Sequence, residues 1–124
     1  MVLVDTNIWI SLYRGRETSV GEMVSFLVSK NEAAICGQVF VEFIGGFRQR
    51  EKRKEFGESF KQFPFLEATE KIFHLAAELL GEYPRLGAGD AVIAATALSY
   101  ELPLLTFDKD FSILKAAGLR LVKV

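Results

Sequence analysis

Short apolar runs, each followed by a longer stretch with helical periodicity, constrain the fold of this chain most strongly. Three of the runs have the length of buried strands: Val2-Leu3-Val4, Ala33-Ala34-Ile35-Cys36 and Leu104-Leu105-Thr106. Residues 63–66 add a short extended piece, and residues 121–124 a last predicted strand. Because strands that are apolar on both sides must be covered on both faces, we expect an α/β fold with a central parallel sheet flanked by helices on both faces.

Helical spacing separates the predicted strands. The predicted helices cover residues 8–13, a stripe at 20–27, and residues 38–47, 48–58, 72–83 and 91–98. Gly15 closes the first of them, and residues 84–89 form a loop before the last. The last helix is apolar nearly all round, which predicts that it is buried between neighbouring elements.

Length and charge limit the possible functions. At 124 residues the chain fits one domain, spanning 1–124. Its formal net charge of −1 argues against a broadly basic protein that wraps nucleic acid, but it allows a local basic strip. The single cysteine, Cys36, cannot form an internal disulfide and suits a reducing compartment. The sequence shows no signal peptide and no apolar stretch of ~20 residues, so we expect a cytoplasmic protein without a membrane segment.

Four acidic residues stand out by their positions. Asp5 follows the first strand and Asp108 comes two residues after Thr106, so both are expected at the carboxyl edge of the sheet, where α/β proteins bind ligands. Asp90 lies at the start of the buried helix, and Glu42 is flanked by apolar side chains. Taken singly, each has an ordinary interpretation: a helix cap for Asp5 and Asp90, a turn residue for Asp108, and a solvent-facing side chain for Glu42.

Taken together, the four acids predict a bound cation. Carboxylates that converge on one pocket raise one another's pKa, and a hard divalent cation such as Mg²⁺ or Mn²⁺ removes that repulsion. The sequence has no histidine or cysteine cluster to suit zinc. A metal held by carboxylates is typical of phosphoryl chemistry. Because the sequence has no glycine-rich phosphate loop, the expected phosphate belongs to a polymer or a small ester rather than to ATP.

Four segments follow one another in a distinctive order: Val4-Asp5-Thr6-Asn7, the helix that carries Glu42, Gly89-Asp90-Ala91-Val92-Ile93-Ala94-Ala95-Thr96-Ala97, and Leu105-Thr106-Phe107-Asp108-Lys109-Asp110-Phe111. In this order and at this chain length, they resemble the PIN-domain nucleases, in particular the VapC-type toxins of toxin–antitoxin pairs. The resemblance covers essentially the whole chain, and no segment departs from the family pattern at its acid.

This resemblance implies a Mg²⁺- or Mn²⁺-dependent endoribonuclease that hydrolyses RNA phosphodiesters with metal-activated water. The metal-binding and catalytic acids that it implies are Asp5, Glu42, Asp90 and Asp108. The supporting residues are expected to be Thr6, Asn7, Thr106 and Asp110. Thr6 is expected to hydrogen-bond Asp5, and Asp110 competes with the preferred Asp108 for the position of the fourth ligand. The resemblance also implies a homodimer, and a cognate antitoxin whose tail fills the groove beside the acids.

Basic residues give weaker indications about the substrate. The predicted contacts to RNA phosphates are Arg14, Arg16 and Arg85. The denser basic stretch at residues 48–54 is interleaved with Glu51 and continues to Glu55, which favours a solvated helix with internal ion pairs.

Aromatic residues leave two interpretations open. Trp9 and Tyr13 either belong to the core or offer a surface to an RNA base or an antitoxin side chain. A second set either forms an apolar strip for a partner helix or packs inside the domain: Phe56, Phe60 and Phe63.

Other functions use similar acids. A phospho-receiver-like module that binds Mg²⁺ would have a second acid beside Asp5 and a lysine after a late strand, a position that Lys109 fits poorly. A phosphatase with a nucleophilic aspartate would carry an acid where Asn7 stands. The alternatives to the ribonuclease are thus the metal-binding receiver-like module, an inactive binding module, and a DNA-regulatory PIN protein that acts with its antitoxin.

Overall fold

Four short strands form a parallel sheet within residues 1–16 and 18–124, the part of the chain that the computed structural model describes. Their bounds are β1 Val2–Val4, β2 Ala33–Cys36, β3 Phe65–Leu66 and β4 Leu104–Leu105. They pair in the order β3-β2-β1-β4, and each pair is parallel. Leu3 stands opposite both Ala34 and Leu104, and all three side chains are fully buried. The predicted central parallel sheet is confirmed.

Helices cover both faces of this sheet. The α-helices are α1 Thr6–Arg14, α2 Thr18–Ser29, α3 Gly37–Gly45, α4 Arg50–Ser59, α5 Glu70–Glu82 and α6 Ala88–Ser99. The 3₁₀ helices are η1 Phe60–Gln62, η2 Pro84–Leu86 and η3 Lys109–Ala117. Gly15 ends α1 at a φ of 64°, a left-handed conformation that glycine adopts without a side-chain penalty. Among the described residues, no helix is both long enough and apolar enough to cross a membrane.

The strand order determines where a ligand site can lie. From β1 the chain moves outward to β2 and β3, and it then returns across the sheet to place β4 on the other side of β1. Right-handed crossovers, the rule for such connections, put α1 to α4 on one face and α5 and α6 on the other. The strand order therefore reverses beside β1. The crevice at the carboxyl ends of β1 and β4 is the switch point at which open α/β sheets bind ligands.

The predicted strand at residues 121–124 is wrong. Leu121 forms one isolated parallel bridge with Leu104, and the backbone N–H of Val122 donates to the carbonyl of Leu104 at 3.0 Å. Because β4 ends at Leu105, its ladder is too short to continue along the C-terminal residues. The unpredicted helix η3 precedes them, and its buried Phe111 and Leu114 recur at the three-residue period of a 3₁₀ helix.

An aromatic cluster joins α1 to α4 and η1. The ring of Trp9 lies 5.0 Å from the rings of both Phe60 and Phe63. Tyr13 meets Phe56 edge-on at 5.4 Å. Trp9 and Phe60 are buried, whereas Tyr13 is half exposed. Phe56, Phe60 and Phe63 therefore pack inside the domain, with Phe56 and Phe63 partly exposed, and Trp9 belongs to the core.

Candidate active site

Asp5 lies directly after β1, at the switch point of the sheet, and only 5% of it is exposed. Its Oδ1 accepts a hydrogen bond from the backbone N–H of Thr6 at 2.7 Å, so Asp5 is also the N-cap of α1. Its Oδ2 accepts from the hydroxyl of Thr106 at 2.7 Å. Burial raises the pKa of Asp5; the two hydrogen bonds oppose this rise, and the carboxylates of Glu42 and Asp108 add to it. Asp5 is thus an oriented carboxylate whose charge is disfavoured by its surroundings.

Thr106 connects the ends of the two strands that flank the switch point. It directly follows β4, and its hydroxyl donates to Asp5 at the end of β1. The same oxygen accepts from Nδ2 of Asn7 at 3.3 Å and from the backbone N–H of Asp108 at 3.0 Å. Asn7 in turn accepts from the backbone N–H of Phe107 at 3.3 Å. This network fixes the segment after β4 against the start of α1.

Glu42 reaches the same region from α3. Its Oε1 accepts a hydrogen bond from the hydroxyl of Thr6 at 2.5 Å, and its Oε2 accepts from Nε2 of Gln38 at 2.9 Å. Thr6 thus contacts two acids, since its backbone N–H holds Asp5 while its hydroxyl holds Glu42. A carboxylate offers about four acceptor positions, so these bonds orient Asp5 and Glu42 without exhausting them.

Gln38 and Gly89 belong to this arrangement although they were not predicted. Gly89 lies in the first turn of α6, and a Cβ atom there would stand 2.8 Å from Oε2 of Glu42 and 2.9 Å from Nε2 of Gln38. The missing side chain is therefore what lets α6 approach the Gln38–Glu42 pair. The four-residue spacing of Gln38 and Glu42 was a usable signal, because it places both on one face of a helix. The contact with Gly89 depends on tertiary packing.

Asp90 faces the other acids from the first turn of α6. Gly87 rather than Asp90 is the N-cap of that helix, so the interpretation of Asp90 as a cap is wrong. Burial raises the pKa of Asp90 to about 6, with contributions from the charges of Asp5, Asp108, Glu42 and Asp110. A carboxyl group perturbed in this way by burial and by like charges is characteristic of functional sites.

Asp108 caps η3, because its Oδ1 accepts from the backbone N–H of Asp110 at 2.9 Å. Asp108 is half-buried, whereas Asp110 is exposed. The charge of Asp108 raises the pKa of both Asp5 and Asp90, whereas the charge of Asp110 acts on Asp90. Asp108 is therefore the more central of the two acids.

Protein cations do not balance the charge of Asp5, Glu42, Asp90 and Asp108, here called the four acids. Across residues 1–16 and 18–124, Lys61 pairs with Glu58 and Nε2 of His74 lies 3.8 Å from Glu70, and neither contact involves the four acids. Their oxygens are the ligands that Mg²⁺ and Mn²⁺ prefer, so the donor chemistry fits such a cation. In the described part of the chain, no three acidic, histidine or cysteine side chains are grouped closely enough to hold a metal ion. Binding one would therefore require the carboxylates to turn toward it.

The predicted RNA-contacting arginines differ in their relation to the four acids. Arg14 is in the last turn of α1, about 12 Å along the helix axis from Thr6, and Arg16 lies beyond it. Arg85, in contrast, lies in η2 and lines a groove together with Asp110. The structure thus brings Arg85 near the acids and leaves Arg14 and Arg16 at the opposite end of α1.

The internal ion pairs expected in the basic stretch are absent from the described residues. Arg53 instead donates from Nη1 to the carbonyls of Phe47 and Arg48, both at 2.8 Å, and Lys52 lies over the ring of Phe56 at 5.9 Å. Exposed pairs on a helix gain little free energy, so these alternative contacts prevail.

Comparisons with known proteins agree with this architecture. A family model described as the PIN domain matches residues 2–117. Ribonuclease VapC10 of Mycobacterium tuberculosis (strain ATCC 25618 / H37Rv) is 34% identical to this chain over 112 residues, which cover 87% of this chain and 83% of the relative. A toxin–antitoxin complex from Klebsiella pneumoniae contains a chain with a TM-score of 0.77 and 26% identity, covering 90% of this chain and 91% of that one. In fold, a chain of DNA-bound VapBC from Salmonella typhimurium also matches, with a TM-score of 0.80 and 21% identity over 98% of this chain and 96% of that one. This chain therefore belongs to the PIN-domain family, and within it to the relatives of the VapC ribonucleases.

Proposed function

We propose that this chain is an endoribonuclease that depends on Mg²⁺ or Mn²⁺ and acts as the toxin of a toxin–antitoxin pair. The observation that carries the proposal is the electrostatic coupling of the four acids beside the switch point of the sheet, with no protein cation paired to them among the described residues. The relationship to Ribonuclease VapC10 supports RNA as the substrate.

The four acids are the proposed ligands of the cation, with Asp110 as the alternative to Asp108. A divalent cation in such a site lowers the pKa of a bound water, which makes a nucleophile, and stabilises negative charge on the phosphate. Asp90, whose pKa is raised to about 6 without a cation, would bind the cation in its deprotonated form.

The polar neighbours of the acids have the proposed role of orienting them. Thr106 holds Asp5 and the backbone of Asp108, and Thr6 holds Glu42. Asn7 fixes the segment after β4 through its contacts with Thr106 and Phe107. These hydrogen bonds exist before substrate binds, so they limit how far each carboxylate has to turn to reach the cation.

The toxin role is proposed from the relatives. The Klebsiella pneumoniae structure is a toxin–antitoxin complex, and we expect this chain to bind an antitoxin protein beside the four acids and to form a homodimer. Co-expression with the product of the neighbouring gene tests this expectation. A stable complex in which RNA cleavage is blocked supports the toxin role. Full cleavage in the presence of that product, without a complex, would contradict the toxin role and leave the nuclease proposal intact.

Cleavage of total cellular RNA by the purified chain tests the nuclease proposal. The reaction is run with Mn²⁺, with Mn²⁺ plus excess chelator, and with Asp5→Asn in Mn²⁺. We expect discrete fragments in the first reaction alone, and sequencing their new ends identifies the cleaved RNA. Equal cleavage by wild type and Asp5→Asn, or cleavage that persists in chelator, would contradict the proposed site.

A further inference from the structure

A groove with basic and apolar walls lies next to the four acids. It has a volume of about 480 Å³, and it is lined by Arg85 and Leu86 of η2 and by Lys109, Asp110, Ser112 and Ile113 of η3. This volume falls within the ~300–1,000 Å³ that is typical of pockets for small ligands. Two cations, a hydroxyl group and an exposed apolar side chain are together suited to the parts of a nucleotide.

Asp110 links this groove to the four acids. It is one of the residues that line the groove. Its backbone N–H also donates to the carboxylate of Asp108 at 2.9 Å. A polymer whose phosphate lies at the four acids therefore has this groove beside it for the next unit of the chain.

Arg85 and Lys109 are available to an anion. Both are exposed, and neither is ion-paired within residues 1–16 and 18–124. Phosphates that approach the four acids are repelled, and cations on the adjoining rim offset that repulsion. The planar guanidinium of Arg85 can hold a phosphate through two hydrogen bonds, and the ammonium of Lys109 adds a point charge.

We propose that this groove binds the nucleotide next to the cleaved bond of a single-stranded RNA, with its phosphate on Arg85 and Lys109 and its base against Ile113. Ile113 is 44% exposed, so it offers apolar contact area, and the hydroxyl of Ser112 can pair with a ribose. Single strands expose the faces and edges of their bases, which a duplex hides. The inference rests on the proposed ribonuclease function and names a binding site for its substrate.

Binding of a short, fluorescently labelled single-stranded RNA tests the groove without any need for cleavage. Fluorescence anisotropy is measured in chelator, over a series of salt concentrations, for wild type, Arg85→Ala, Lys109→Ala and Lys109→Arg. Lys115→Ala is the matched control, because Lys115 is exposed on the same helix and lies outside the groove. We expect each alanine variant in the groove to bind several-fold more weakly. Each lost phosphate contact should also reduce the steepness of the salt dependence, measured as the slope of the logarithm of the association constant against the logarithm of the salt concentration, by about 0.7.

The conservative variant separates charge from structure, since Lys109→Arg should bind nearly as well as wild type. If Arg85→Ala and Lys109→Ala both bind RNA as Lys115→Ala does, with the same salt slope, the groove is not the site. Failure of the nuclease proposal would give a different result. The chain would then cleave no RNA, although its RNA binding would still depend on Arg85 and Lys109. That pattern would support the groove as an RNA-binding site.

Discussion

Two effects oppose the charge of Asp90, namely burial and the carboxylates that surround it. Together they raise its pKa to about 6 from the ordinary value of 3.8, so the folded chain holds this proton more tightly than the unfolded chain does. The stabilisation from Asp90 is therefore fully present below about pH 4, and it is lost as the pH rises through about 6. Burial raises the pKa of Asp5 as well, so the stabilisation from Asp5 is also lost as the pH rises.

Replacing Asp90 with asparagine should stabilise the metal-free protein above pH 6. The free energy of unfolding should rise by about 1 kcal/mol. This is well below the free energy that the whole pKa shift of Asp90 corresponds to, because solvent reaches and screens the half-buried carboxylate. For a chain of this size, that gain corresponds to about 4 °C in Tm. Thermal melts between pH 4 and pH 8 in chelator measure the difference, and Glu78→Gln on the exposed face of α5 serves as the control.

Magnesium should reverse this order of stability. Excess Mg²⁺ should raise the Tm of wild type and leave that of Asp90→Asn nearly unchanged, because the variant lacks one of the proposed ligands. A variant that is less stable than wild type at every pH, with or without Mg²⁺, would show that Asp90 has a structural role instead.

Replacing Gly89 with alanine should separate stability from activity. Gly89 has a helical backbone, where alanine is favoured by up to about 1 kcal/mol, so the fold should be retained. The added Cβ would displace the carboxylate of Glu42 or the amide of Gln38, because it would lie within 3 Å of both. Displacing an orienting contact of this kind weakens metal affinity or activity by about 10- to 100-fold.

Gly81→Ala is the matched control for Gly89→Ala. Gly81 is also helical, and a Cβ there meets no atom within 4 Å. Mn²⁺ affinity, RNA cleavage and Tm are compared for the two variants. Equal Mn²⁺ affinity and equal cleavage would contradict the proposed part of Gly89 in positioning Glu42.

Among the elements, the junction of β1 and β4 depends on one hydroxyl group. Thr106→Val removes the donor to the buried carboxylate of Asp5 and the acceptor for the partly buried groups of Asn7 and Asp108. We expect a loss of about 1–3 kcal/mol in the free energy of unfolding and a large loss of cleavage. Thr106→Ser retains the hydroxyl and should recover most of both. Chemical denaturation and RNA cleavage test the pair; if serine fails to rescue, packing of the methyl group matters more than the hydrogen bonds.

At the level of elements, the central part of the fold was predictable from the sequence. The runs that became β1 and β2 are apolar throughout, and only a buried strand or helix core accommodates such runs. The predicted strand at residues 121–124 failed because a strand needs a partner ladder, and β4 offers it a single bridge through Leu104. The helix η3 was missed because its apolar residues follow a three-residue period, which is a weak pattern over a short segment.

The candidate site was predictable to a lesser degree. Asp5 and Asp108 follow strands, so the general geometry of α/β sheets was enough to place them at one edge. The contact of Gly89 with Gln38 and Glu42 was not predictable, because it joins two helices that are far apart in the sequence. The predicted hydrogen bond from Thr6 to Asp5 is present and uses the backbone N–H. The additional bond from the hydroxyl of Thr6 to Glu42 was not predictable, since the position of α3 determines which carboxylate that hydroxyl can reach.

On the scale of the whole molecule, charge is separated rather than abundant. The net charge is only −1, yet Asp5, Glu42 and Asp108 act electrostatically on Asp90 beside the switch point, while Arg85 and Lys109 line the adjoining groove. A polyanion therefore meets attraction at the rim and repulsion at the centre until a cation binds there. This distribution predicts that a divalent cation strengthens RNA binding as well as enabling hydrolysis.

The most direct test of the proposed site is the anomalous scattering of Mn²⁺ in crystals of the wild-type protein soaked with that ion. We expect an anomalous peak in contact with Asp5 and Asp90 at the carboxyl ends of β1 and β4, and no such peak in crystals of Asp5→Asn. A protein that cleaves RNA in solution with Mn²⁺, but whose crystals bind the ion elsewhere or not at all, would contradict the assignment of the four acids as the metal site.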